Sequence, residues 1–168
     1  MATMSSLDDE MCVLKRNGKS EVMSFDKILN RVKKLGIETS PPLVINYPFL
    51  VMKVIDQLYH NIPTRVIDEL TAEQCTSMST KHPDYGMLAS RVIISNHMRN
   101  TTDSFSNAMR TLWNFKDIHS TSSPLISESL INIVEQHSEY LDSIIDYDRD
   151  YLIDYFGFKT LERAYLMK

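Results

Sequence analysis

The stretch from Met11 to Lys27, which reads Met-Cys-Val-Leu-Lys-Arg-Asn-Gly-Lys-Ser-Glu-Val-Met-Ser-Phe-Asp-Lys, decides how the chain folds at its start. Its centre, Asn17-Gly18, is typical of a two-residue hairpin turn of type I′, in which both central residues need positive φ. Val13 and Val22 on either side supply β-branched strand character. We therefore predict two antiparallel strands that form a β-hairpin.

This hairpin is predicted to present cations around its turn, namely Lys15, Arg16 and Lys19. A helix is predicted to begin near Asp26, so free backbone N–H groups and the positive end of a helix dipole would lie in the same region. Such an arrangement favours a bound polyanion. The alternative, and the more common origin of such a pattern, is an ordinary surface hairpin whose charges are solvated.

The composition is that of an ordinary globular protein, with 43% hydrophobic and 24% charged residues in a chain of 168. A net charge of −4 argues against a general nucleic-acid binder, which is usually basic, so any phosphate site must be local. Cys12 and Cys75 have no metal-ligand spacing. We predict that both are buried thiols in a reducing compartment.

The first ten residues are small, polar and acidic, which predicts a disordered tail over residues 1–10 and argues against a signal peptide. No apolar run approaches the ~20 residues that a membrane-spanning helix needs. We therefore expect a soluble, cytoplasmic protein with no membrane partner and no nucleic-acid partner.

Apolar residues at helical spacing predict a first helix from Asp26 to Leu35. Gly36 follows as the C′ residue that would end this helix. A second helix is predicted from Pro48, at position N1, to about Tyr59. Each helix would direct one apolar face toward the core.

Residues 60–63 form a short connector, for which a third strand beside the hairpin is one interpretation. Thr64 is predicted to be the N-cap of a third helix. A fourth helix is predicted to begin with Pro83 at N1 and to run, broken or unbroken, to Trp113.

The remainder is predicted to hold a linker from Asp117 to Pro124, a helix over residues 127–138 and a charged turn over residues 146–150. The segment from residue 151 onward is rich in aromatic residues, and Gly157 is predicted to end or bend a helix there. Such an aromatic segment suggests that the core it belongs to lies outside this chain.

Several short motifs of this sequence resemble one known family. They are Lys-Arg-Asn-Gly at 15–18, Phe-Asp-Lys-Ile at 25–28, Met-Lys-Val-Ile at 52–55 and Thr-Lys-His-Pro-Asp-Tyr at 80–85. They are similar to the ATP-cone, the regulatory domain of class I ribonucleotide reductase large chains. Tyr-Asp-Arg-Asp at 147–150 and Tyr-Phe-Gly-Phe-Lys-Thr-Leu-Glu-Arg at 155–163 resemble the opening of that family's catalytic domain.

The resemblance implies an α+β, mostly helical fold. About four helices would be capped by a three-stranded sheet and followed by helices of an incomplete catalytic domain. It implies an ATP-cone over residues 11–102 and the helical start of the catalytic domain over residues 103–168. Cys12 and Cys75 match none of the family's catalytic cysteines, so the resemblance implies that this chain alone carries no reductase chemistry and has no catalytic residue.

The resemblance also implies the effectors and partners. ATP as activator or dATP as inhibitor would bind with Mg²⁺, and the chain itself would hold no further cofactor or metal. Other large chains would meet it through dATP-dependent cone–cone contacts. The small, radical-generating subunit would be a partner of the full-length protein, which reduces ribonucleotides to deoxyribonucleotides for DNA synthesis.

The nucleotide-binding residues implied by the resemblance come from four places in the sequence. Lys15 and Arg16 would contact the phosphates, Thr64 and Asp68 would lie near the base or sugar, and Arg99 stands where related chains often carry lysine. The pocket would be lined by the strand-to-helix segment that consists of Glu21, Val22, Met23, Ser24, Phe25, Asp26 and Lys27. Backbone groups between Val22 and Phe25 would read the base edge, and Lys27 would add a phosphate contact.

Plainer roles compete with these assignments. Thr64 is interpreted equally well as a plain N-cap, and Asp68 as an acid that merely complements the helix dipole. Lys81 and His82 are interpreted as helix-junction residues, and Arg91 as a structural ion-pair donor.

Two functions compete with nucleotide sensing. The chain could be a degenerate cone that acts as an oligomerisation or interaction module without binding nucleotide. A cone-containing transcriptional repressor is disfavoured, because no Cys-x-x-Cys pair precedes Met11 and the chain is acidic.

Overall fold

The computed structural model describes residues 10–166, so all but the last residue of the predicted disordered tail lies outside the described part. The strands are β1 (Cys12–Leu14), β2 (Ser20–Val22) and β3 (Ile62–Pro63). The α-helices are α1 (Phe25–Ile37), α2 (Tyr47–Ile55), α3 (Thr64–Met78), α4 (Pro83–Met98), α5 (Phe105–Trp113), α6 (Glu128–Gln136), α7 (Ser138–Ile144) and α8 (Tyr155–Ala164), and a 3-10 helix covers Tyr147–Leu152. This composition of elements confirms the predicted α+β, mostly helical fold class.

The three strands form one small sheet in the order β2-β1-β3. β1 pairs with β2 antiparallel, with Val13 opposite Glu21, and with β3 parallel, with Val13 beside Ile62. The third strand beside the hairpin is therefore present. The side chains of Val13 and Ile62 therefore pack side by side into the core beneath the sheet, where both are buried.

The hairpin turn differs from the predicted type I′ turn. Gly18 has φ of 78°, whereas Asn17 is not among the residues of positive φ. The amide of Gly18 donates to the Lys15 carbonyl at 3.0 Å, and the amide of Lys15 donates to the Lys19 carbonyl at 2.8 Å. This pattern is a three-residue loop in which a turn over Arg16 and Asn17 is followed by a glycine in the left-handed region.

Helix α1 begins where the hairpin ends and runs past the residue that was expected to stop it. Ser24 is its N-cap, and the Ser24 hydroxyl accepts from the Lys27 amide at 3.4 Å. Gly36 lies inside the helix, which makes its prediction as the C′ residue wrong. A Cβ at Gly36 would come within 2.9 Å of Tyr47 ring carbons, so close packing against Tyr47 explains the glycine.

The starts and ends of α2 and α3 also correct the predictions. Asn46 caps α2 through its side chain, and the helix ends at Ile55, before the predicted Tyr59. The N-cap of α3 is Pro63 and not Thr64, because the chain passes directly from β3 into the helix. The Thr64 hydroxyl therefore makes no N-cap hydrogen bond.

The first unit of the molecule consists of the described residues up to Asn96 together with those from Tyr151 onward. In it α2 packs against α1 and α3. Beneath the sheet lies a cluster of buried apolar side chains, formed by Val13, Val54, Leu58, Ile62 and Ile67. Burial raises the pKa of the Cys75 thiol to about 12, whereas Cys12 is only partly buried, contrary to its prediction.

The first unit also contains Arg91 and α8. The Arg91 guanidinium donates to the Leu35 carbonyl at 2.9 Å and lies 4.2 Å from the centre of the Tyr151 ring, so Arg91 is structural, although its nearest carboxylate, Glu38, is 4.0 Å away. Gly157 neither ends nor bends a helix. It lies in the first turn of α8, where its amide donates to the Asp154 carboxylate at 2.6 Å.

The second unit is His97–Asp150. Here the predicted fourth helix proves to be broken, because α4 ends at Met98 and Ser104 caps a separate helix, α5. The Asp142 carboxylate accepts from the Ser106 amide at 2.9 Å and so lies at the N-terminal end of α5. The predicted boundary between residues 102 and 103 stays a prediction.

None of the helices between residues 10 and 166 is both long enough and apolar enough to span a membrane.

Candidate functional site

Two lysines of the hairpin region share one carboxylate. The Glu21 carboxylate lies on β2, and one of its oxygens is 3.1 Å from the Lys15 Nζ. The other oxygen is paired with the Nζ of Lys27, in the first turn of α1. We call Lys15, Glu21 and Lys27 the surface ion cluster, because their side chains are 36%, 37% and 65% exposed.

The surface ion cluster changes the ionisation of its carboxylate. Hydrogen bonds from Lys27 first, and then from Lys15, hold the pKa of Glu21 below the ordinary glutamate value. Both lysines favour the charged form of the carboxylate. Glu21 is therefore ionised at neutral pH and compensates one of the two positive charges.

The next residue of the hairpin belongs to a second cluster of the same design. Arg16 donates to the Asp68 carboxylate at 3.4 Å and to the Asn96 side-chain oxygen at 2.6 Å. Arg31, on α1, donates to the same carboxylate through Nε and Nη2, each at 3.0 Å. We call Arg16, Asp68 and Arg31 the buried ion cluster, because the Asp68 side chain is only 9% exposed.

Asp68 thus has a more specific role than the one that its position alone suggests. It lies one residue beyond the first turn of α3, in which no acidic residue is found. Its carboxylate joins the hairpin to α1 and α3 through two guanidinium groups. The interpretation as an acid that merely complements the helix dipole is therefore wrong.

Three residues around this carboxylate were missed by sequence reasoning: Arg31, Ser95 and Asn96. The Ser95 hydroxyl accepts from Arg31 at 3.2 Å, and the Asn96 amide nitrogen donates to the Arg65 carbonyl at 3.1 Å. A signal for Asn96 was present, because it shares the apolar face of α4 with Leu88 and Val92 and is buried. A buried amide needs a hydrogen-bond partner.

The strand-to-helix segment has part of its backbone already engaged. The Met23 amide donates to the Met11 carbonyl at 2.8 Å, so it is not free to read a base edge. The Ser24 hydroxyl accepts from the Lys27 amide. Val22 and Phe25 keep exposed side chains, and Asp26 is the acid in the first turn of α1.

The remaining predicted residues lie further along the chain. Thr64 is partly buried at the start of α3, four residues before Asp68. Arg99 is exposed and follows α4, in the second unit. Its inclusion in the site stays a prediction. Lys81 lies over the Phe49 ring and His82 beside Asp84, which agrees with their interpretation as helix-junction residues.

The described residues offer no grouping of three or more histidine, cysteine, aspartate or glutamate side chains that could hold a metal ion. What the first unit does place together are two pairs of cations, each around one carboxylate. Lys15 and Arg16 come from the hairpin, and Lys27 and Arg31 come from α1. The two carboxylates among them leave an excess of positive charge, which suits an anionic ligand.

Comparison with known proteins identifies the family. Residues 11–99 match the model of the ATP cone domain. The chain is 43% identical over 157 residues to the ribonucleoside-diphosphate reductase large subunit of Caenorhabditis elegans, and the aligned residues cover 93% of this chain and 20% of that protein. It is 44% identical over 160 residues to the Arabidopsis thaliana large subunit, with 94% and 19% covered, and 42% identical over 159 residues to that of Danio rerio, with 94% and 20% covered.

The chain therefore spans about a fifth of the length of these relatives. The match to the family model, in contrast, extends over more than half of the chain and includes the hairpin, α1, α2, β3, α3 and α4. Both ion clusters lie inside the matched residues. The chain belongs to the ATP cone domain family.

Proposed function

We propose that this chain is the allosteric ATP- and dATP-binding regulatory region of a ribonucleoside-diphosphate reductase large chain. The observation that carries the proposal is that Glu21 holds Lys15, from the hairpin, and Lys27, from the first turn of α1, beside one another on an exposed surface. Membership of the ATP cone domain family supports it. So does similarity to reductase large subunits over almost the whole chain.

The phosphates are assigned to the surface ion cluster. Lys15 and Lys27 are exposed enough for a ligand to reach them, and hydrogen bonds between ammonium groups and phosphate oxygens are among the strong ones. Mg²⁺ would arrive with the nucleotide as a ligand of its phosphates. Arg16 would add a guanidinium donor, while its contact with Asp68 fixes its position.

The base and sugar are assigned to the segment from Val22 to Asp26, to Thr64 and to Asp68. The amide of Met23 is engaged in the sheet, so the remaining backbone groups between Val22 and Phe25 would carry base recognition. Arg99 is retained as a further phosphate contact. A guanidinium there offers a fork of donors where lysine offers a point charge.

The other properties of the full-length protein follow the same proposal. We expect a cytoplasmic large chain that reduces ribonucleoside diphosphates together with a small radical-generating subunit. Its cones would contact those of other large chains when dATP is bound. The residues that carry out the reduction belong to the part of such large chains that lies outside this sequence.

Isothermal titration calorimetry with ATP and with dATP tests the proposal. The double variant Lys15→Ala, Arg16→Ala is expected to weaken both affinities by at least roughly ten-fold, about 1.4 kcal/mol. Lys27→Ala is expected to weaken them less. Lys33→Ala, which removes an exposed lysine from the same helix, is the matched control and should change neither affinity. Absence of heat and of thermal shift with both nucleotides would refute nucleotide sensing.

The second candidate is an interaction module that has lost nucleotide binding. The first unit exposes large apolar side chains, among them Val44 at 79% and Met52 at 60%. Where such side chains form a contiguous patch, they mark a surface that contacts other proteins. Sedimentation velocity with and without dATP separates the two functions. Self-association that does not change when dATP is added would support the interaction module and not nucleotide sensing.

A further inference from the structure

The surface ion cluster contains an anion in the position where the proposed ligand needs cations. Glu21 uses one carboxylate oxygen for Lys15 and the other for Lys27, so both ammonium groups are engaged with the same carboxylate. A phosphate that binds these lysines must replace the carboxylate or share them with it. We propose that Glu21 is a built-in competitor for the phosphates of the bound nucleotide, an inference that rests on the proposed function.

The sheet register holds Glu21 in this position. Glu21 is the Cα partner of Val13, two residues before Lys15, on the neighbouring antiparallel strand. Lys27 follows six residues later, on the first turn of α1, whose start is fixed by the Ser24 cap. The carboxylate is therefore supplied by a strand that cannot slide relative to either lysine without breaking the hairpin pairing.

The exposure of the cluster makes the exchange feasible. All three side chains are at least 36% exposed, so a phosphate can approach while the hairpin stays folded. The lowered pKa of Glu21 means that the competitor remains charged at neutral pH. Asp68 is different, because its burial and its two guanidinium partners keep it in place.

Removal of the charge should therefore tighten binding. Glu21→Gln keeps the length of the side chain and its carbonyl oxygen but leaves the lysines without a fixed counter-charge. We expect ATP and inorganic tripolyphosphate each to bind roughly two- to five-fold more tightly, the range of a single exposed ion pair. The gain should shrink in high salt, because exposed ion pairs are screened.

Calorimetric titrations of the whole chain with ATP and with sodium tripolyphosphate form the test. Glu38→Gln is the control: Glu38 lies at the other end of α1, its side chain is 44% exposed, and it is 3.7 Å from Lys34, so it makes the same charge change outside the cluster. Glu38→Gln should bind both probes as the wild type does.

The inference is overturned if Glu21→Gln binds ATP as tightly as the wild type or more weakly. A weaker affinity for ATP with an unchanged affinity for tripolyphosphate would assign Glu21 to the nucleoside. Failure of the proposed function gives a separate result, because the wild type itself would then bind neither ATP nor dATP.

Discussion

The buried and surface ion clusters are built alike and differ in what surrounds them. Each has one carboxylate between two cations, and adjacent hairpin residues, Lys15 and Arg16, supply one cation to each. The Asp68 side chain is 9% exposed, whereas that of Glu21 is 37% exposed. The same pattern of charges is thus a fixed part of the fold in the buried ion cluster and an exchangeable contact in the surface ion cluster.

The difference follows from desolvation. A buried charge that loses its partner is left without water to compensate it, so removal of one member of a buried pair is strongly destabilising. An exposed charge that loses its partner regains water at once. The type of cation differs in the same way. The buried ion cluster uses arginine, whose planar donors suit a desolvated carboxylate, and the surface ion cluster uses lysine.

Neutralisation of Asp68 is expected to have the largest effect. Asp68→Asn leaves Arg16 and Arg31, whose side chains are 28% and 25% exposed, without their shared counter-charge. We expect the free energy of unfolding to fall by about 3 kcal/mol. Urea denaturation followed by circular dichroism measures the loss.

Asp56→Asn is the control for this substitution. Asp56 is exposed at the end of α2, and its conversion to asparagine should leave the urea midpoint almost unchanged. If the two variants unfold at the same urea concentration, the buried ion cluster has no structural importance.

Loss of the two-point contact by Arg31 comes next in size. Arg31→Lys keeps the charge, but one ammonium nitrogen replaces the two guanidinium nitrogens, Nε and Nη2, that reach the two Asp68 oxygens and Ser95. We expect a loss of about 1–2 kcal/mol, the range for hydrogen bonds to charged groups. Arg65→Lys, at an exposed position on α3, provides the comparison under identical urea conditions. Equal stability of the two variants would contradict the role of the guanidinium fork.

The buried ion cluster also marks where prediction from sequence ends. Asn17-Gly18 and the helix signal after it predicted a hairpin that feeds a helix, and both are present, because these are local patterns. Arg31 and Asp68 are 37 residues apart, and they meet only because α1 and α3 are brought together by the core. No local pattern in either helix predicts that these two side chains are in contact.

The helix boundaries give the same lesson on a smaller scale. Gly36 has the properties of a C′ residue, but α1 continues to Ile37, and the glycine is explained by Tyr47, which packs where a Cβ would lie. Thr64 has the properties of an N-cap, but the β3 pairing of Pro63 moves the cap one residue earlier. In both cases a contact with another element, which the local sequence does not show, decides the role of the residue.

The ionisation of Glu21 offers a finer comparison between the two lysines of its cluster. A carboxylate NMR titration should place its pKa below the ordinary value of about 4.3. Lys27→Ala and Lys15→Ala should each raise that pKa, because hydrogen bonds from Lys27 and then from Lys15 are the two largest causes of the shift. Lys33→Ala should leave it unchanged. A pKa that rises in neither lysine variant would show that the two lysines do not hold the Glu21 carboxylate.

The smallest expected effect is that of the Glu21 charge on stability. A lowered folded-state pKa means that the ion pairs of Glu21 stabilise the fold above the ordinary glutamate pKa, and that this stabilisation is lost as the pH falls through the folded-state value. Because the cluster is exposed, we expect the thermal midpoints of Glu21→Gln and the wild type to be the same at pH 7 in 0.15 M salt. We expect the same result at pH 3. A lower midpoint for the variant at pH 7 alone would show that Glu21 belongs with Asp68 as a structural anion. Unchanged stability combined with tighter ATP binding would instead show that the two clusters have different roles. The buried ion cluster would hold the hairpin in place, and the surface ion cluster would exchange its carboxylate for a phosphate of the nucleotide.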